Sequence, residues 1–178
     1  EARAKLAGLK VEIAEKPFKA GDIAYPAGSW ILAPAEGLAA KVGKVAADLG
    51  LDFESAAGPP DVARHDARLP RLALWHPWVD TQMIGWVRLV LDRQGVPYVI
   101  LRDDDIRAGG LKEKYDVIVH GDTEEDAKGQ INGFDRKFSP LAYTKTPEFP
   151  NLGFPVASED ITGGIGWRGM AELQEFVD

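Results

Sequence analysis

The feature that most constrains the fold is a series of short apolar runs in the middle of the chain, interrupted by one longer amphipathic segment. The apolar runs cover residues 71–76, 97–101 and 116–120. They are too short for helices and too continuous for strands with one solvated face, a pattern typical of parallel strands buried on both faces. Residues 80–94 carry a helical pattern, so the series predicts a β-α-β unit with a right-handed crossover.

The predicted helix has apolar residues on more than one side. Asp80 is its expected N-cap, because a carboxylate can accept hydrogen bonds from the free amides of the first turn. The face expected to be buried is formed by Met83, Val87, Val90 and Leu91. Since Trp86 and Leu89 broaden the apolar surface, we expect the N-terminal segment or a neighbouring domain to cover the helix further.

The third apolar run follows an acidic and glycine-bearing link at residues 102–115, in which a short helical turn is expected. The simplest strand order is then 2-1-3. This order is the one found in flavodoxin-like and class I amidotransferase-like folds, which are α/β proteins built on a parallel sheet. We therefore assign residues 69–178 to such an α/β domain.

Residues 1–68 are expected to form an appendage made of a β-hairpin, a helix and a linker. Weak alternation with glycine and proline turns across residues 9–33 predicts the hairpin. An apolar stripe across residues 38–49 predicts the helix, which Gly50 is expected to end. Residues 51–68, with a Gly-Pro-Pro turn, are interpreted as the connector.

The C-terminal third of the chain lacks clear periodicity until its last helix. Residues 121–161 predict a long loop that wraps the carboxyl edge of the sheet. The chain then stops at the end of a predicted helix, where a doubly wound fold would turn into another strand. It also opens without methionine, so we expect an excised piece of a longer protein, truncated within its α/β domain.

Charge and composition exclude several classes of function. The net charge is −7, from 21 basic and 28 acidic residues, and the basic residues are dispersed, which argues against nucleic acid as a partner. No apolar run approaches the ~18 to 20 residues that span a bilayer. The chain has no cysteine, so thiol nucleophiles, thiolate metal sites and disulfides are excluded.

Candidate site residues cluster where the predicted strands end, because ligands of open parallel sheets bind outside the carboxyl ends of the strands. His76, Asp103 and His120 occupy those ends, and Asp122 follows closely. They could form a small-molecule or metal site. They could equally end the strands and hold loops by hydrogen bonds, and we expect no metal because no ligand pair at helical spacing is present.

A second candidate surface precedes the last helix, at Gly163, Gly164, Gly166 and Trp167. Free amides there could bind an anion or a partner, or the glycines could permit close packing of the helix. Nothing assigns a catalytic residue. The chain has no Gly-x-Ser-x-Gly elbow, and an amidotransferase-like fold would need a cysteine for its chemistry.

Several segments resemble the C-terminal region of large bacterial zinc carboxypeptidases of the carboxypeptidase A class, over about residues 20–178. The matching segments are 69–76 (LPRLALWH), 80–81 (DT), 85–88 (GWVR), 95–98 (GVPY), 115–118 (YDVI), 143–150 (YTKTPEFP) and 158–167 (SEDITGGIGW). The last of these is the most specific.

The resemblance implies an accessory amidotransferase-like domain that follows a peptidase domain in the parent chain. The family's zinc-binding His-x-x-Glu pair is absent here, since His65, His76 and His120 are not followed by glutamate three residues later. The resemblance thus implies a non-catalytic chain without a cofactor of its own, with zinc only in the missing peptidase domain.

The implied partners are that peptidase domain and, through it, a peptide substrate, and the implied location of the parent is periplasmic or extracellular. The loop 121–161 and the aromatic residues Trp75, Trp78, Tyr143 and Trp167 are the surfaces expected to make these contacts. An independent small-molecule or metal-binding domain remains the main alternative. A hydrolase using a carboxylate and a histidine is a weaker third.

Overall fold

The computed structural model describes all residues from 1 to 178, which form two compact units. The first unit comprises Glu1–Leu69 together with Gln94–Val96, and the second comprises Pro70–Arg93 together with Pro97–Asp178. None of the helices combines the length and apolar character required to cross a bilayer.

The first unit contains two short helices and five short strands. Its elements are α1 (Ala2–Lys5), β1 (Val11–Ala14), β2 (Phe18–Ala20), β3 (Ile23–Tyr25), β4 (Trp30–Leu32), α2 (Leu38–Leu49) and β5 (Arg64–Asp66). Strands β4, β1 and β5 form an antiparallel sheet, and β2 pairs with β3 in a hairpin. Gly50 ends α2 in a left-handed conformation, as predicted. The stretch interpreted as a connector thus contributes a strand, β5.

The second unit is an α/β structure around a parallel sheet. Its elements are β6 (Leu72–Trp75), α3 (Gln82–Arg93), β7 (Val99–Leu101), α4 (Asp103–Ala108), α5 (Leu111–Lys114), β8 (Val117–His120), α6 (Ala127–Asn132), a 3-10 turn (Arg136–Phe138) and α7 (Gly166–Val177). The strand order is β7-β6-β8 with both pairings parallel, so the predicted order 2-1-3 is confirmed.

Only the central strand of this sheet is buried on both faces. Ala73 and Leu74 of β6 are completely buried. Val99 and Val117, which open the two outer strands, are exposed, so the expectation that all three strands are buried on both faces is wrong for β7 and β8. With three strands, each outer strand has one neighbour, and part of its apolar surface meets solvent.

The main core lies on the sheet face covered by α4, α5 and α7. Leu101, Ile106 and Ile165 are completely buried within it, and Leu173 and Phe176 of α7 pack against it. Gly169 of α7 lies against Ile106 of α4, because a Cβ there would be 3.2 Å from Cγ2 of Ile106. The glycine therefore lets α7 approach closely.

Helix α3 buries only part of the face that was predicted. Val87 and Leu91 are half-buried on the same side as the buried Ile84, whereas Met83 and Val90, which were also expected to be buried, are exposed. Asp80 is not the expected cap of the first turn, since it has a positive φ of 46° and accepts a hydrogen bond from the backbone amide of Glu124. Because α3 is apolar on more than one side, its periodicity could not identify the buried face.

The segment 121–161 is more structured than a plain loop. It contains α6 and the 3-10 turn, and an antiparallel bridge joins Tyr143 to Ser158. Asp160 accepts hydrogen bonds from the Ser139 hydroxyl at 2.5 Å and from the amides of Leu141 and Thr162 at 3.1 and 3.0 Å. These donors hold the pKa of Asp160 well below its usual range, the Ser139 hydroxyl most strongly.

Candidate functional site

Three consecutive strand ends place a buried polar cluster at the carboxyl edge of the parallel sheet. His76 follows β6, Arg102 and Asp103 follow β7, and His120 is the last residue of β8. His76, Arg102 and Asp103 each keep no more than 6% of their surface exposed. Buried charged groups need partners, so the contacts of this cluster define what it can do.

Arg102 is the centre of the cluster, and sequence reasoning missed it. Its Nη1 donates hydrogen bonds to the carbonyl oxygens of His76 at 2.7 Å and Pro77 at 3.2 Å. Its guanidinium carbon lies 3.9 Å from the centre of the Trp78 ring, a cation–π contact. The Nε atom is buried without a hydrogen-bond partner. Arg102 therefore joins the end of β6 to the end of β7 and still has an unused donor.

Burial and the charge of this arginine keep His76 in its neutral form. Nδ1 of His76 lies 2.9 Å from Nη1 of Arg102 and 3.2 Å from the carbonyl oxygen of Pro77. Because a guanidinium can only donate, the shorter contact assigns Nδ1 as the acceptor. The proton of the neutral ring is then on Nε2. Burial, followed by the charge of Arg102, lowers the pKa of His76 to about 4.

This lowered pKa predicts that the fold loses stability in mild acid. The unfolded state takes up a proton at His76 near pH 6.5, whereas the folded state resists it down to about pH 4, so stability falls as the pH drops through this interval. In His76→Asn the side-chain oxygen can replace Nδ1 as acceptor but does not titrate. Urea unfolding from pH 7 to pH 4 should show a smaller loss for the variant, and identical pH profiles would contradict the assignment.

Asp103 is paired with an indole rather than with a cation. Its Oδ1 accepts a hydrogen bond from Nε1 of Trp75 at 3.0 Å. Burial raises the pKa of Asp103, although the Trp75 hydrogen bond acts in the opposite direction. The Asp103 carboxylate is thus a structural acceptor inside the sheet edge, with little access to solvent.

The ring of Trp75 also stacks on the ring of His120. The two residues are register neighbours on β6 and β8, so their side chains project from the same face of the sheet. The rings stack with centroids 4.0 Å apart and an angle of 22° between their planes. Nε2 of His120 lies 3.2 Å from the Gln130 side-chain oxygen, while Nδ1 is buried without a partner. Gln130 belongs to α6, in the segment that showed no periodicity.

The four residues predicted from the strand ends are only partly brought together. Asp103 and His120 both contact Trp75, and His76 contacts Arg102, whereas Asp122 is exposed. No group of three or more histidine, aspartate or glutamate side chains is arranged to hold a metal ion. The geometry therefore corresponds to the structural alternative, in which strand-end side chains hold neighbouring loops and strands.

The glycine segment before α7 is closely packed. The amide of Gly163 donates to the carbonyl oxygen of Phe134 at 2.7 Å, so it is already engaged. Gly164 lies against the backbone at the end of α6, where a Cβ would be 2.4 Å from the carbonyl oxygen of Ile131. Gly166 has open space around it, and 79% of Trp167 is exposed. The segment thus fits close helix packing, with Trp167 as its one large exposed side chain.

The four aromatic residues expected to contact partners, Trp75, Trp78, Tyr143 and Trp167, are divided between the core and the surface. Trp75 is buried, while Trp78 and Tyr143 are half-buried with ring centroids 5.3 Å apart. Tyr143 comes from the segment 121–161, which therefore does lie along the carboxyl edge. Of the four aromatic residues, Trp75 is too deeply buried for the contact role that was predicted for it.

A scan against protein-family models, a search of curated proteins and a search of solved structures find no match to this chain.

Proposed function

We propose that this chain is a non-catalytic accessory region of a bacterial zinc carboxypeptidase-like protein, and that its second unit docks on the peptidase domain of the same polypeptide. The second unit would be the amidotransferase-like, flavodoxin-like domain of that parent. The strand order 2-1-3 supports this assignment. Zinc would be bound by the peptidase domain, and the parent would act on peptides in the periplasm or outside the cell.

The observation that carries the proposal is an apolar stripe along the outer face of α3, formed by Met83, Trp86 and Val90. These side chains are 45%, 56% and 57% exposed. Their spacings of three and four residues place them on one face of the helix. Contiguous exposed apolar side chains of this size are typical of protein interaction sites. Tryptophan is also the residue type most often responsible for binding energy at an interface.

The strand-end cluster supports a structural rather than a catalytic role. Arg102 is engaged with two backbone carbonyls, and Asp103 with the Trp75 indole. Neither is placed to take a proton from a solvent-exposed nucleophile. In this proposal the cluster stiffens the sheet edge, and the stripe on α3 makes the contact with the partner.

The proposal is tested on the parent polypeptide. The coding sequence upstream of Glu1 is expected to encode a zinc peptidase domain with a His-x-x-Glu motif in the same reading frame. That domain, produced separately, should bind the present chain in isothermal titration calorimetry. Trp86→Ala is expected to weaken the affinity by about 30-fold, the effect of losing roughly 2 kcal/mol at an interface hot spot.

A matched pair of valines provides the control. Val90 on the stripe and Val99 on β7 are exposed to similar extents, 57% and 53%. Val90→Ser should weaken binding several-fold, whereas Val99→Ser should leave it unchanged. Equal effects of the two changes, or an upstream reading frame without a peptidase domain, would overturn the proposal. So would zinc-dependent hydrolysis of an N-acylated dipeptide by the present chain alone.

A further inference from the structure

The geometry points to a binding site for an organic carboxylate, formed by the guanidinium groups of Arg88 and Arg102 over the aromatic side chains of Trp78, Tyr143 and Phe154. All five residues belong to the second unit. The site shares Arg102 with the strand-end cluster but uses none of the exposed stripe on α3, so it is independent of the proposed docking role.

A chain of contacts connects the two arginines. The guanidinium carbon of Arg102 lies 3.9 Å from the Trp78 ring centre, and Trp78 is 5.3 Å from the Tyr143 ring. The Tyr143 hydroxyl donates to the backbone carbonyl of Phe154 at 3.0 Å. The guanidinium carbon of Arg88 lies 5.9 Å from the centre of the Phe154 ring. These contacts link the five residues in series, from the buried Arg102 to the exposed Phe154, and we call the group the Arg88–Arg102 patch.

Neither arginine of the patch forms a salt bridge, although the nearby carboxylates of Asp103 and Asp105 act electrostatically on Arg102. The ion pairs of the structure involve other basic residues. Of the nearby carboxylates, Asp103 accepts from the Trp75 indole, and Asp105 accepts from the Arg102 backbone amide. The Nε atoms of both Arg88 and Arg102 are buried without a hydrogen-bond partner. A buried donor without an acceptor is costly, so each is an unfilled position for an acceptor.

The electrostatics of the patch favour an anion. Burial is the main cause of the lowered pKa values of Arg102 and His76. The positive charge of Arg88 lowers both further, whereas the nearby carboxylates of Asp103 and Asp105 raise the pKa of Arg102. Two guanidinium groups and a neutral imidazole thus lie near one another in a chain whose net charge is −7. A bound anion would relieve the repulsion between the two guanidinium groups and supply the acceptors that they lack.

The side chains of the patch also indicate which kind of anion fits and which chemical group is attached to it. A carboxylate offers two oxygens in one plane, which match the fork of donors on a guanidinium. Phe154 is 70% exposed, so its ring can contact an apolar group attached to the carboxylate. An aromatic or apolar acid fits both parts of the patch, whereas inorganic phosphate would use only the arginines. The carboxylate could belong to a free aromatic acid or to the C-terminus of a peptide.

The test is a titration of the complete chain followed by two-dimensional NMR of backbone amides and indole N–H groups. N-acetylphenylalanine is expected to give saturable shifts at Trp78 and Tyr143. N-acetylphenylalanine amide, which lacks the carboxylate, should bind at least tenfold more weakly. Stronger binding of phenylacetate than of an N-acetylated dipeptide ending in phenylalanine would assign the patch to small aromatic acids, and the reverse to peptide C-termini.

Two arginines on α3 provide the matched variants. Arg88→Gln should weaken binding of N-acetylphenylalanine at least tenfold, whereas Arg93→Gln removes the same charge from an exposed position and should not change it. Phe154→Ser, also at an exposed position, should weaken binding severalfold without unfolding the chain. Equal binding of acid and amide, equal effects of the two arginine changes, or binding of inorganic phosphate as tight as that of the acid would overturn the assignment.

Discussion

Replacing Gly164 with alanine is expected to lower the free energy of unfolding by about 4 kcal/mol. Gly164 has a φ of +49°, and an added Cβ would lie 2.4 Å from the carbonyl oxygen of Ile131 and 2.7 Å from the amide nitrogen of Gly133. These neighbours are backbone atoms at the end of α6, which cannot rotate away as a side chain can. The variant must therefore separate α6 from the segment before α7, which lies at the edge of the main core.

Gly166, two residues later, is the matched control. Its φ of +59° is similar, but no atom lies within 4 Å of an added Cβ. Gly166→Ala thus carries only the backbone cost of a left-handed residue, about 1 kcal/mol. Urea unfolding monitored by circular dichroism measures both variants. If the two changes cost the same, the close packing of Gly164 is not what makes a glycine necessary there.

The parallel sheet could be predicted from the sequence because its signal is local. Each apolar run is bounded by polar or turn residues, and the order 2-1-3 follows from the connections. The burial of the two outer strands was overestimated. Val99 and Val117 are as apolar as the residues of β6, but they open the outer strands and are exposed. The number of neighbours that a strand has is a property of the whole sheet, and composition does not reveal it.

The strand ends could be predicted as a polar cluster, but the partners within it could not. Parallel strands place their carboxyl ends at one edge, which identified His76, Asp103 and His120. Arg102 turns inward to the carbonyl oxygens of His76 and Pro77, and this depends on its side-chain rotamer and burial. The sequence does not indicate it, because arginine is most often a solvated residue. Its one sequence signal is its position directly after β7, at the same edge as the predicted residues.

Of the side chains that residues 121–161 contribute to the site, Tyr143 was expected from the sequence but Gln130 was not. Gln130 and Tyr143 reach His120 and Trp78 because α6 and the Tyr143–Ser158 bridge fold the segment back along the sheet edge. Irregular structure of this kind is fixed by individual hydrogen bonds, such as those to Asp160, rather than by a repeating pattern. The length of the segment and its place after β8 therefore predicted where it lies, but not which of its side chains face the sheet.

Trp75→Phe is expected to lower the free energy of unfolding by about 3 kcal/mol at pH 7, and by clearly less at pH 4. Phenylalanine keeps most of the buried ring but removes the N–H that donates to Asp103 at 3.0 Å. A hydrogen bond to a charged group contributes about 1.5 to 3 kcal/mol, and its loss leaves the buried carboxylate without that donor. The remaining loss comes from the smaller ring and its altered contact with His120.

The pH dependence follows from the raised pKa of Asp103. Burial raises this pKa above that of the unfolded chain, so the folded state keeps the proton to higher pH, and stability falls as the pH rises between the two values. Since the Trp75 hydrogen bond lowers the folded-state pKa, Trp75→Phe raises it further and widens that interval. The change then costs most where Asp103 is ionised and least where it is protonated.

Asp103→Asn isolates this effect, because asparagine cannot ionise but its side-chain oxygen can still accept from the indole. Trp75→Phe introduced into Asp103→Asn should cost the same at pH 4 and pH 8, by urea unfolding. In the wild-type background the cost should rise across that range. The titration of His76 affects the proteins with and without Trp75→Phe alike, so it cancels when their free energies of unfolding are subtracted. A cost that does not vary with pH in the wild-type background would mean that the Trp75 indole does not stabilise an ionised Asp103.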